Sequence, residues 1–181
     1  MQTVYSLHLF SPSIKLFCQS RAIMSQWSNG DDITAIQLTV DHIASSVAEQ
    51  KEIIDRGGFI SQSGGIDRVN GSLAVSRSLG DIKLASFLSQ TPHILALTKK
   101  KEALEQCGNS MVTTGVPCFI ILASDGLWDV MSNQEAVDLA WQVINENTSG
   151  TAYQEAAAVL TQEAYVRGSS DNIGVCVLAI T

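Results

Sequence analysis

The amino-acid sequence predicts an α+β domain, and three observations carry that expectation. Residues 118–123, Cys-Phe-Ile-Ile-Leu-Ala, form a continuous apolar run. It is too short for an isolated helix and rich in β-formers, which argues a strand buried on both faces. Residues 173–180 alternate and are β-branched, the pattern of a closing strand. Between these two runs lie two segments with helix-start signals. Ser132 with Glu135 three residues later reads as a capping box, ahead of an apolar stripe of Ala136, Leu139, Ala140, Val143 and Ile144. Thr151 with Gln154 opens a second such segment, carrying Ala157, Ala158, Leu160 and Ala164.

The part before residue 118 supplies the remaining elements in order. Short β-prone runs at 21–26 and 33–38 flank the turn-rich Ser28-Asn29-Gly30-Asp31-Asp32, as in a hairpin with a longer loop. Ser46 with Glu49 predicts a third capping box, and Val47, Ile53 and Ile54 keep near-helical spacing until Gly57-Gly58 stops the turn. From 57 to 80 the chain is rich in Gly and Ser with only short apolar runs, which predicts an irregular, partly mobile segment of the kind that is functional or disordered. A short strand is expected at 93–97, a polar helical turn at 99–106 and a surface loop at 108–115.

Composition bounds the function classes. At 181 residues, with 45 % hydrophobic and 16 % charged residues, the chain is one domain's length and can bury a sizeable core. A formal net charge of −7 offers no basic field for nucleic-acid phosphates, so no nucleic-acid partner is expected. The four cysteines, Cys18, Cys107, Cys118 and Cys176, show no CxxC pair, which suggests reduced, buried thiols and a cytoplasmic or nuclear protein. No apolar run approaches the ~20 residues a membrane-crossing helix needs. The opening residues lack the basic start of a secretory signal. Residues 1–17 carry no periodicity that joins them to the rest and are expected to pack poorly.

Asp125 stands immediately after the buried apolar run, and Asp171 immediately before the closing strand. If those strands are antiparallel neighbours, the end of one and the start of the other share a sheet edge, and two carboxylates meet there. Like charges so placed raise a pKa or call for a cation, and Mg²⁺ and Mn²⁺ prefer such oxygen ligands. Taken singly, each Asp also reads as a turn former, since Asp-Gly and Ser-Asp-Asn are ordinary turn sequences. His42 follows a strand in a turn and is expected to be structural. Trp128 and Trp141 sit on apolar segments and read as core.

The same residues carry a family resemblance. LASDGLWDV at 122–130 followed by SNQEAV at 132–137, RGSSDNI at 167–173, RVNGSLAVSRSLGD at 68–81 and LTVDH at 38–42 together resemble the motifs of the metal-dependent type 2C (PPM-type) protein serine/threonine phosphatases. The resemblance runs from about Ser20 to the C-terminus. It implies a layered α/β/β/α sandwich of two antiparallel sheets with outer helices. It also implies a two-metal site of Mn²⁺ or Mg²⁺ at one sheet edge, with Asp125 and Asp171 matching metal ligands, and a metal-bridging water that attacks phosphorus. Such chemistry uses two cations to lower the water's pKa and to neutralise the transferring phosphoryl group. The segment 57–81 matches a flap beside the site. Arg68 and Arg77 are candidates for holding phosphorylated substrate, with a salt bridge or a solvated surface as the alternative for each. Asp81 and Asp129 read as turn-capping residues.

The family's aspartate-glycine-histidine-glycine motif does not occur in the chain, and Cys18-Gln19 stand where glycine and aspartate would precede Ser20-Arg21-Ala22. The expected organisation is therefore an unmatched segment at 1–19 and a partial, N-terminally truncated phosphatase domain at 20–181. The expected function is hydrolysis of phosphoserine and phosphothreonine in phosphorylated proteins, with activity lowered by the missing part. The alternative is an inactive phosphatase-like domain that binds phosphoproteins or a partner.

Overall fold

The structure, a computed structural model, describes residues 6–7, 13–16, 20–27, 32–96, 118–147 and 149–180. In chain order the elements are β1 (Ser6–Leu7), β2 (Ser13–Leu16), β3 (Arg21–Trp27), β4 (Ile33–Gln37), α1 (Val47–Asp55), β5 (Ile60–Ser63), β6 (Ile66–Val69), β7 (His93–Ala96), β8 (Cys118–Ala123), α2 (Asp125–Trp128), α3 (Asn133–Glu146), α4 (Ala152–Val166) and β9 (Val175–Ile180). They fall into two compact units, one drawn from residues 1–20 and 40–96 and the other from 21–39 and 97–181. The mixture of antiparallel sheets and helices is the α+β class that the sequence predicts.

The second unit holds a four-stranded antiparallel sheet in the order β4-β3-β8-β9. Its central strand β8 is buried at all six positions, as an uninterrupted apolar run requires. Helices α3 and α4 pack on each other and against this sheet. Their shared core joins Phe119, Ile121 and Val177 of the sheet to Ala136, Ala140 and Ile144 of α3 and to Ala156, Leu160 and Ala164 of α4. Residues four apart on a helix share a face, and the alanines among them let the two backbones approach closely. The predicted stripe of α4 needs correction here. Ala156 is buried, whereas Ala158 lies on the exposed side.

Only one of the three predicted capping boxes forms. Ser132 Oγ accepts from Glu135 N, and the Glu135 side chain returns to Ser132 N. At α1, Ser46 makes no side-chain cap, because Glu49 turns instead to Ser76 and Arg77. At α4, Thr151 Oγ1 reaches the Glu155 carboxylate rather than a backbone amide.

The first unit contains two small sheets. Strands β1, β2 and β7 form one, with Ser13 opposite Ala96 and Leu16 opposite His93. Part of the segment expected to pack poorly is thus paired in a sheet. Strands β5 and β6 form a hairpin across Gly64-Gly65, which replaces the irregular structure expected from 57 to 80 with a regular stretch. A Gly-Gly pair between two four-residue runs is a hairpin signal that high Gly and Ser content obscured. A small core gathers Ala44, Ile53, Val69 and Leu88. The predicted strand at 93–97 is found at His93–Ala96. The helical turn at 99–106 and the loop at 108–115 lie outside the described residues. Trp128 is buried, and Trp141 packs edge-on against Trp27 with ring centroids 4.9 Å apart. His42 is buried, as a structural histidine should be. Against the expectation of reduced, buried thiols, Cys118 is disulfide-bonded, and Cys176 is free but exposed. Among the described residues no helix is long and apolar enough to cross a membrane.

Leu160 is fully buried where α3, α4 and the sheet meet, so Leu160→Ala is expected to cost about 2–5 kcal/mol. Ala158→Ser on the exposed side of the same helix is expected to stay within about 0.5 kcal/mol of the parent. Urea denaturation followed by tryptophan fluorescence measures both.

Candidate functional site

Strands β8 and β9 pair with Ala123 opposite Val175, so the residues that follow β8 and precede β9 arrive at one sheet edge. Hydrogen bonds tie the two segments there. Ser124 N donates to Gly174 O at 3.0 Å, Gly174 N donates to Ser124 Oγ at 3.0 Å, and Ser124 Oγ donates to Asn172 O at 2.9 Å. On the other side of Asp125, Ser169 Oγ donates to Gly126 O at 2.7 Å. The two carboxylate-bearing residues thus sit on backbones joined on both sides of each.

Two glycines make this approach feasible. A Cβ on Gly126 would lie 2.6 Å from Asn172 O, closer than any side chain tolerates. Gly168, at φ +88°, ends α4 in a left-handed turn in which its N–H reaches Tyr165 O and Ser169 N reaches Ala164 O. That paired closure is the Schellman arrangement, and it directs the chain from α4 toward Asp171.

The electrostatics match the placement. Burial, then the Asp171 charge, then the Asp129 charge hold the Asp125 carboxyl above the usual carboxylate range. Its own oxygen accepts from Gly126 N at 3.1 Å. Asp129, four residues on, is also raised, by burial first and by Asp171 second, while Arg21 opposes the shift. Arg21 lies over the Trp128 ring at 5.3 Å and donates from Nη1 to Asn133 Oδ1 at 2.7 Å. Asp129 therefore shares the field of the two predicted residues, although the sequence reads it as a turn cap. Its spacing of four from Asp125 on a helical turn was the available signal.

These donors are hard oxygens that repel one another in the absence of a cation. Among the described residues no group of three His, Cys, Asp or Glu forms a closed metal cage. Mg²⁺ is commonly held by one or two carboxylates, with waters and substrate phosphate completing its shell, so the donor set fits such a cation.

The two candidate arginines lie in the other unit and differ in their surroundings. Arg77 donates from Nε and Nη2 to the two Glu49 carboxylate oxygens, at 2.9 and 2.5 Å, and from Nη1 to Thr91 O at 2.9 Å. Glu49 also accepts from Ser76 Oγ. Burial pushes the Glu49 carboxyl up, but the Arg77 and Ser76 hydrogen bonds and the Arg77 charge outweigh it, so the net shift is downward. Arg68 is half-buried and donates from Nη1 to Ser72 O at 2.9 Å. Asp81 is half-buried on a loop.

Two outcomes test this geometry. Gly126→Ala must push apart backbone atoms rather than a flexible side chain, and is expected to cost about 1–3 kcal/mol in a thermal melt. With chelator present, Asp125→Asn is expected to raise the melting temperature at pH 7. A carboxyl whose folded pKa lies above its unfolded value destabilises the fold once pH exceeds the unfolded value, and protonation relieves this. The gain should therefore shrink toward pH 4 and vanish below it.

Comparison with known proteins shows the family of the chain. The family model described as Protein phosphatase 2C matches residues 19–173. A probable protein phosphatase 2C 20 of Arabidopsis thaliana is 42 % identical over 159 residues, covering 87 % of this chain and 45 % of the relative. A probable protein phosphatase 2C 44 of Oryza sativa subsp. japonica is 41 % identical over 145 residues, covering 80 % and 39 %. The chain thus spans less than half the length of these curated relatives. Among solved structures, a C. elegans sex determining protein superposes with a TM-score of 0.72 at 24 % identity, covering 93 % of this chain and 36 % of that one. A serine-threonine phosphatase 2C from Toxoplasma gondii superposes with a TM-score of 0.70 at 24 % identity, covering 93 % and 54 %. At that identity the likeness establishes the fold. The family match extends over most of the chain, from the strand carrying Arg21 to the loop carrying Asp171, and the chain belongs to the protein phosphatase 2C family.

Proposed function

We propose that the chain supplies the Asp125–Asp171 carboxylate site of a protein phosphatase that hydrolyses phosphoserine and phosphothreonine esters in phosphorylated proteins, with Mn²⁺ or Mg²⁺ as the cation. The observation that carries this reading is that the segments bearing Asp125 and Asp171 are tied to each other through Ser124 and Gly174, with the Asp171 charge among the causes that raise the Asp125 pKa. Family membership and relatives at about 40 % identity that bear the phosphatase name support the substrate class. The role is assigned to residues 20–181.

In this reading Asp125 and Asp171 hold the divalent cation, and Asp129 adds negative charge beside them. The bound cation would lower the pKa of a water and neutralise charge on the transferring phosphoryl group. Ser124 and Gly126 keep the carboxylates in place without touching substrate. The arginines singled out by the resemblance lie in the other compact unit, and neither is assigned to the carboxylate site. Arg77 has its fork engaged by Glu49 and would give up a buried ion pair to bind anything else.

The test is hydrolysis of a phosphothreonine peptide with Mn²⁺ varied across about 1–10 mM, the range suited to a cation held by few protein ligands. Turnover should depend on Mn²⁺ and disappear in chelator. Asp125→Asn or Asp171→Asn should lower kcat by about a hundred- to a thousandfold. Turnover that survives both substitutions, or no turnover at any Mn²⁺ concentration, overturns the reading.

A further inference from the structure

We propose that the groove between α4 and residues 171–173 receives the polypeptide that flanks the phosphorylated residue, and that Tyr165 makes it select aliphatic flanks over acidic ones. The proposal rests on the phosphatase reading above and extends it to the sequence around the phosphate. The groove measures about 660 Å³ and has two walls. One is built from Ala158, Thr161, Gln162 and Tyr165 of α4, the other from Asp171, Asn172 and Ile173. Pockets of about 300–1,000 Å³ are of the size that takes a bound ligand.

The α4 wall follows from helical spacing. Positions 158, 161, 162 and 165 recur as i, i+3, i+4 and i+7, a face distinct from the buried line of Ala152, Ala156, Leu160 and Ala164. Seven residues of helix rise about 10 Å, the length of about three residues of extended chain. The groove is continuous with the candidate centre, because Asp171 belongs to both. A phosphorylated side chain placed at the carboxylate pair therefore brings its neighbouring residues to this wall.

The lining determines which neighbours suit it. Tyr165 leaves 69 % of its surface in solvent and is the aromatic side chain among the described lining residues. Together with Ala158 and Ile173 it offers apolar contact, while Gln162 and Asn172 offer amide hydrogen bonds to an extended backbone. Among the described residues no Lys or Arg lines the groove, and the carboxylate there is Asp171. With Asp171 engaged by the cation, an acidic flank would find no cationic side chain among the described lining to pair with, whereas an aliphatic flank would cover the Tyr165 ring.

Fluorescence anisotropy with the full chain and Mn²⁺ tests this with two labelled peptides bearing a non-hydrolysable phosphonate analogue of phosphoserine. One carries Val and Leu beside it, the other Glu at both positions. The aliphatic peptide should bind about tenfold more tightly than the acidic one, and Tyr165→Ala should remove most of that preference, the scale expected when an interface tyrosine is truncated. Val166→Ser, at an exposed position that does not line the groove, should leave both affinities unchanged. Circular dichroism melts of both variants confirm that the fold persists, as Tyr165 is exposed. Equal affinity for the two peptides, or an undiminished preference in Tyr165→Ala, overturns the proposal. Hydrolysis of a small aryl phosphate by the unaltered chain, measured in parallel, judges the phosphatase reading separately. Its absence removes that reading, while anisotropy, which needs no turnover, still decides the groove.

Discussion

The hydrogen bonds from Ser124 to the backbone of Asn172 and Gly174 are the constraint on which the candidate site depends. Two carboxylates left to themselves separate, since like charges repel and Asp125 is half-buried. Here separation would break the ladder between β8 and β9 at its last rung, Ala123 opposite Val175, and expose the buried hydroxyl of Ser124. The glycine after Asp125 serves the same end by letting Asn172 O come closer than any Cβ would allow. Uncharged backbone holds together the two segments that carry these charges.

The approach of Asp171 is also controlled from a distance. Arg167 closes α4 and donates to Glu135 at 2.7 Å, to Glu163 at 2.9 Å and to Val130 O at 3.2 Å. Glu135 is the acidic member of the capping box that opens α3. Hydrogen bonds from Ser132 and then from Arg167 lower its pKa to about 2. A carboxyl depressed in this way contributes stability above its unfolded pKa and loses it as pH falls toward 2. The first turn of α3 is thereby coupled to the last turn of α4, and Gly168 then starts the path to Asp171. Both ion pairs are solvent-exposed, so their role is to define direction more than to add stability.

Much of this was legible in the sequence where one strong local signal acted alone. The run Cys118–Ala123 admits a buried strand and little else, and Ser132 with Glu135 encodes a cap that forms as read. Placing Asp125 and Asp171 at one edge needed only the antiparallel pairing of two recognisable strands. Legibility failed where two uses competed for one side chain. Glu49 stands where a capping-box acid belongs, yet a half-buried arginine from a distant loop claims it, and no local pattern reports that partner. The β5–β6 hairpin was hidden for a different reason, because its Gly64-Gly65 turn lies in a stretch whose composition reads as irregular. The strand at Ser13–Leu16 exists through pairing with β7, some eighty positions further along, a contact that periodicity within residues 1–17 cannot reveal.

The contrast between Glu49 and Asp125 shows how the surroundings of an acid decide its task. Burial pushes both carboxyls upward. For Glu49 the shift is reversed by a bidentate guanidinium and a serine hydroxyl, and the acid becomes a tie between α1 and the loop carrying Ser76 and Arg77. For Asp125 the influences that lower its pKa are backbone amides, with no cation among them, and the neighbouring charges are carboxylates. A charge-balanced acid has little left to give a ligand, whereas one surrounded by like charge has an unmet demand for a cation. The same reasoning separates the arginines. Arg77 has met its demand within the fold, and a phosphate would have to displace Glu49 to reach it, leaving a buried carboxylate without its partner. The acid without a counter-charge and the arginine with one therefore point to opposite roles, one toward a ligand and the other toward the stability of its own unit.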